Sequence, residues 1–107
     1  MDIKIIVDKQ CKLRMLDAAE NLKTYFKQHN IKSYCKDVIV IFSNNHNFVK
    51  EETQEIKKGS TIINITENLS EQHIINVLKY VSDVCYLKTD VNVIASRIIA
   101  AHNRVRR

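Results

Sequence analysis

Asp37-Val38-Ile39-Val40-Ile41-Phe42 places five apolar residues in unbroken succession behind one acid. A strand with one wet face alternates polar and apolar positions, whereas a run without alternation is covered on both faces, as in the middle of a parallel sheet. Val38 to Phe42 is therefore expected at the sheet centre. On its N-terminal side, Ile3 to Val7 is a second short run, rich in isoleucine, broken only by Lys4 and ending at Asp8. It reads as a buried strand. Between the two, Met15, Leu16, Ala19, Leu22 and Phe26 recur at helical spacing, which predicts an amphipathic helix over Lys12 to Asn30 with Asn30 as its stop.

On the C-terminal side, Asn44 to Lys58 reads as a helix with Phe48 and Ile56 inward. Glu51 and Glu52 lie early and Lys57 and Lys58 late, in keeping with the helix dipole. Gly59 then supplies a left-handed residue past the last turn. Thr61 to Ile65 is the next strand; Ser70 caps a helix carrying Ile74, Val77, Leu78 and Val81; Val84 to Leu87 is a short strand. The last helix covers Asn92 to Val105, with Ile94, Ile98, Ala101 and Val105 on one side.

Strands alternating with helices imply right-handed crossovers and a parallel sheet between two helical layers, a three-layer α/β/α domain of four to five strands. Ile31 to Cys35 is the irregular point. Only Lys36 separates it from Asp37, too little for a parallel crossover of about a dozen residues, so it is either a lead-in or an irregular edge strand.

Composition narrows the class of function. A chain of 107 residues, 45% hydrophobic and 27% charged, fits one globular domain over residues 1–107. No apolar run approaches the roughly 20 residues of a membrane span, and no basic and greasy leader follows Met1, so a cytoplasmic protein without membrane partners is expected. Cys11, Cys35 and Cys85 have no metal-ligand or disulfide spacing, and neither have His29, His46, His73 and His102, which are expected at the surface. No metal and no cofactor is expected. With one glycine and no proline, glycine-rich phosphate loops are excluded. The net charge of +5 is spread along the chain, and only Arg97, His102, Arg104, Arg106 and Arg107 form a basic stretch.

The stretch IINITENLSEQHIINVLKYVSDVCYLK, Ile62 to Lys88, together with the tail IASRIIAAHNRVRR, resembles the receiver domain of two-component response regulators, of the type joined to a winged-helix DNA-binding domain. The resemblance implies a flavodoxin-like sheet that lacks the family's helix between its second and third strands. Receiver chemistry gathers two acids that hold Mg²⁺, a phosphate-accepting aspartate, a Thr or Ser, and a Lys at the carboxyl ends of the strands, where cation, ammonium and hydroxyl all meet phosphoryl oxygens. On this pattern Asp8 matches one acid, and Lys9 and Gln10 follow where a second is expected. The D-x-V-x-x-D spacing counted from Asp37 puts Phe42 at the phosphoacceptor. Thr66 matches the hydroxyl, and Lys88 or, in another register, Thr89 stands at the lysine.

The resemblance thus implies a degenerate receiver: not an enzyme, independent of phosphorylation, and acting in transcription regulation as a homodimer through its fourth helix, fifth strand and fifth helix. Asp83, Tyr86, Arg97, Ile74, Leu78, Ile94 and Ala101 are its expected interface. Asp83 and Arg97 pair either across it or within one chain. DNA would be bound only through a separate domain past Arg106 and Arg107. Two other readings stay open: a stand-alone adaptor using the same face, and a phosphocysteine-type phosphotransfer subunit using Cys11, with Lys9, Lys12 and Arg14 as nearby cations.

Overall fold

A computed structural model describes residues 3–10, 13–30 and 37–105. Four strands and four helices alternate among them: β1 (Ile3–Val7), α1 (Leu13–Gln28), β2 (Val38–Phe42), α2 (His46–Thr53), β3 (Thr61–Thr66), α3 (Glu71–Val77), β4 (Asp83–Tyr86) and α4 (Val91–Val105). All pairings are parallel, in the order β1-β2-β3-β4. Among the described residues this is the flavodoxin-like order 2-1-3-4-5 without its outermost strand. Nine residues, 29–37, lie between α1 and β2, too few for a further strand and helix; the candidate strand Ile31 to Cys35 falls outside the described residues.

Side chains alternate across the strands and divide the core in two. Val38, Val40 and Phe42 of β2, with Ile63 and Ile65 of β3, pack against Met15, Ala19, Leu22 and Phe26 of α1 and Ile94, Ile98 and Ala101 of α4. Ile41 and Ile62 point the other way, toward Val49 of α2 and Val77 of α3, with Ile39 at the margin. Helices therefore cover both faces, and β3 is buried along its whole length. The uninterrupted apolar run of β2 does mark an inner strand.

One expectation about the crossovers is corrected. The strand order advances in one direction, yet α1 lies on the face opposite α2 and α3. The first crossover must then have the opposite hand to the other two; with those in the near-universal right-handed sense, β1–α1–β2 is left-handed. In a sheet ordered 2-1-3-4-5, the chain would leave α1 for a strand outside β1 and return over the other face by two right-handed crossovers. Joining α1 directly to the inner neighbour of β1 reverses the hand.

Helix ends follow local chemistry. Asn30, at φ 50, takes the left-handed conformation that stops α1. The second helix is shorter than its sequence pattern: past Thr53 the bonds Gln54 N–H to Glu51 O (3.3 Å) and Ile56 N–H to Thr53 O (3.2 Å) tighten the chain into turns. Gly59, at φ 89, accordingly serves the turn into β3 and does not end a helix. Ser70 caps α3 as expected, accepting from the His73 N–H. Leu78, 49% exposed, and Val105 lie outside the core.

Candidate strand-end site

The register pairs Val7 with Phe42 and Phe42 with Ile65, so Asp8, Ser43 and Thr66 stand side by side one residue further on. The ladder reaches this row: Asp8 N–H donates to Phe42 O (2.9 Å), Ser43 N–H to Ile65 O (3.1 Å) and Leu87 N–H to Thr66 O (2.9 Å). All three side chains are buried. Asp8 Oδ2 accepts from the Ser43 hydroxyl (2.8 Å), and Asp8 Oδ1 accepts from the Gln10 N–H (3.0 Å). Ser43 Oγ in turn accepts from the Asn45 N–H at 3.0 Å. The lone carboxylate of the row is thus held by donors from its own chain.

Thr66 is equally committed. Its hydroxyl donates to Asn44 Oδ1 (2.9 Å) and accepts from the Asn68 N–H (2.9 Å). Asn44 Oδ1 also receives the Glu67 N–H at 2.7 Å, and Asn44 O receives Asn68 Nδ2 at 3.3 Å. Glu67 is ion-paired to Arg14 at the start of α1.

One step down the same face lies a buried polar pair. Asn64 Nδ2 donates to the carbonyls of Ile41 (3.0 Å) and Ser43 (3.2 Å), which turns Asn64 Oδ1 toward His73 Nε2 at 3.0 Å. A carboxamide oxygen needs a donor, so His73 carries its proton on Nε2 and leaves a lone pair on Nδ1. That atom has no hydrogen-bond partner among the described residues. Burial, and secondarily the neighbouring His46, hold the His73 pKa below the ordinary histidine value.

Several expectations are corrected here. Phe42 is buried, but on the α1/α4 face with Met15 and Leu22; its carbonyl accepts from the Asp8 N–H, while its side chain turns to the face opposite Asp8 and Thr66. The reason is register. Asp37, at φ 55, lies outside β2, so spacing counted from it slips by one, and a slip of one moves a side chain to the other face. Ser43 occupies the place between Asp8 and Thr66. The Phe42 ring borders a different cleft, about 340 Å³, with Leu22, Leu87 and Ile94. Lys9 and Lys88 are exposed in turns beyond the strand ends, with Lys88 in the turn closed by Thr89 N–H to Tyr86 O.

Among the expected interface residues, Ile94 and Ala101 are core residues, 6% and 0% exposed. Arg97 and Asp83 pair within the chain by a two-pronged contact, Nη2 to Oδ1 at 3.0 Å and Nε to Oδ2 at 3.2 Å. Leu78 is exposed, and Ile74 and Tyr86 are half-buried. His73 and His102 are buried, against the expectation that the histidines are surface residues. Cys11 lies outside the described residues. Burial pushes the Cys85 thiol up to about 11, which leaves it protonated and unreactive at neutral pH.

A parallel sheet opens a crevice where neighbouring strands send their chains to opposite faces. Between β1 and β2 that crevice is a cleft of about 210 Å³ lined by Asp8, Gln10, Asn45 and Glu51 among others. Among the described residues, no three His, Cys, Asp or Glu side chains stand together to hold a metal ion, and no helix is long and apolar enough to cross a membrane. Ser43, Asn44, Asn64 and His73 are the members that motif spacing does not find. Strand parity finds part of the set, since Asn64 and Thr66 share one face of β3 opposite Ile63 and Ile65.

No family model matches the chain, and no curated protein matches it. Among solved structures, a yeast Spc42 trimeric coiled coil fused to another structure superposes with a TM-score of 0.68, over 98% of this chain and 81% of that one, at 10% identity. A coiled coil has no sheet, so the similarity falls on the part to which it is fused and is one of fold.

Proposed function

We propose that the chain is a receiver-like signalling domain of the cytoplasm that works by protein association, without phosphorylation, in the manner of a degenerate response-regulator receiver. The observation that carries this reading is the strand-end row. It offers one carboxylate where Mg²⁺ and phosphoryl chemistry needs two acids and an acceptor aspartate, and Ser43 stands in the acceptor's place. On the α3 side of the molecule, Ile75 (53%) and Leu78 (49%), the residue after the helix, are exposed, as are Leu13 and Leu16 of α1 and Val93 of α4 on the other side. Ile75 and Leu78, three apart at the end of α3, lie on one side of that helix and supply the apolar part of the proposed contact face.

A self-associating domain of a transcription regulator is the first form of this reading. Sedimentation of the full chain is expected to give a dimer that does not respond to acetyl phosphate and Mg²⁺, with Leu78→Glu monomeric. A monomer at high concentration, or a stable aspartyl phosphate, overturns it. The adaptor form, with a different protein on the same face, is favoured by the Asp83–Arg97 pair: charges already satisfied within one chain are not left to set register across a two-fold axis.

A further inference from the structure

We infer that Asn44 is a positioning residue: its carboxamide oxygen fills, from within the chain, the acceptor position on which the Thr66 hydroxyl and the Glu67 amide converge, and thereby seats α3. Two donors from consecutive residues meet one oxygen, at 2.9 and 2.7 Å. The second is at the short end of the range for an N–H donor. A hydroxyl and an amide aimed at one point from a strand end make an opening for an acceptor oxygen, whether of a phosphate, a water or the chain itself. Here the chain supplies it, from the loop after the neighbouring strand.

The connection continues into the helix. Asn68 Nδ2 donates to Asn44 O, Asn68 Oδ1 accepts from the Ser70 N–H (3.1 Å), and Ser70 Oγ accepts from the His73 N–H (3.2 Å). Each bond passes position from the end of β2 to the first turn of α3. The site is closed to external acceptors, and α3 is held in one place. This rests on the association reading only for its consequence, that the face carrying Ile75 and Leu78 is always presented.

Amide exchange and proton chemical shifts of the full chain test it. In Asn44→Ala, the Glu67 amide is expected to exchange about tenfold faster and its proton to move upfield, while the Ile63 and Ile65 amides stay protected and report an intact sheet. Asn44→Asp keeps an acceptor oxygen, and Glu67 protection with it. Millimolar inorganic phosphate is expected to leave the Thr66 and Glu67 signals of the wild-type chain in place. An unchanged Glu67 in Asn44→Ala, equal loss in Asn44→Asp, or a phosphate-induced shift in the wild type overturns the inference. A monomeric wild type with a shielded Glu67 defeats the association reading and leaves Asn44 in its role; a dimer whose Glu67 ignores Asn44→Ala does the reverse.

Discussion

The two faces of the sheet are built on opposite plans. Toward α1 and α4, the strands present mainly aliphatic and aromatic side chains and one thiol, Cys85, with Asp83 of β4 paired to Arg97 of α4 at the edge. Toward α2 and α3, a smaller apolar cluster around Ile41 and Val77 shares the space with Asp8, Ser43, Asn64, Thr66 and His73, all buried. Apolar burial is strong and undirected, whereas hydrogen bonds contribute little net energy and fix geometry. The first face therefore supplies stability, and the second fixes where its helices sit.

The largest effect expected from breaking this contrast is on the apolar face. Phe42→Ala removes a fully buried ring from the middle of the larger core and is expected to cost about 3–5 kcal/mol by denaturant unfolding. It should leave the chemical shifts of Asp8 and Thr66 nearly unmoved. Were Phe42 part of the strand-end row, those signals would shift as strongly as the stability falls.

A middle-sized effect is expected from Asn64→Leu, which leaves the His73 Nε2–H buried without an acceptor, a penalty of about 1–3 kcal/mol. The double variant Asn64→Leu with His73→Leu removes both partners and is expected to regain part of that loss, since it turns the polar face into a copy of the other. Additive losses in the unfolding midpoints would show that the two residues do not act as a pair.

The smallest effect is graded by acid. His73 holds its proton less tightly in the folded chain than in the unfolded one. Below about pH 6.5 the unfolded chain takes up a proton that the folded chain refuses, so stability falls as pH falls, by at most about 1.4 kcal/mol per pH unit. The decline levels off below the folded pKa. His73→Gln is expected to flatten the curve in this window, and an unchanged slope would assign the dependence elsewhere.

The division between faces also explains what could be read from the sequence. Strands and layers were legible because burial is written as runs and periods: Val38 to Phe42 marks an inner strand, and Ile94, Ile98 and Ala101 mark the core side of α4. The site was legible only at Asp8 and Thr66. Phe42 was misplaced because a motif counted from Asp37 includes a residue outside the ladder, and parity forgives no slip of one. His73 looked like a surface residue because its partner, Asn64, is nine positions away and joins it only after β3 and α3 pack. The Asp83–Arg97 pair spans fourteen positions and forms for the same reason.

The reversed first crossover bears on how the molecule assembles. Strand twist guides a right-handed return and gives no help to a left-handed one, so β1 is held to the sheet by its five-residue ladder with β2 and by the packing of Met15, Leu22 and Phe26 of α1 against Val38 and Val40. The stretch from β2 to α4, with short-range connections of the ordinary hand, is the natural nucleus. β1 and α1 then form a clasp that is expected to fasten last during folding and to open first when the chain is pulled from its amino end.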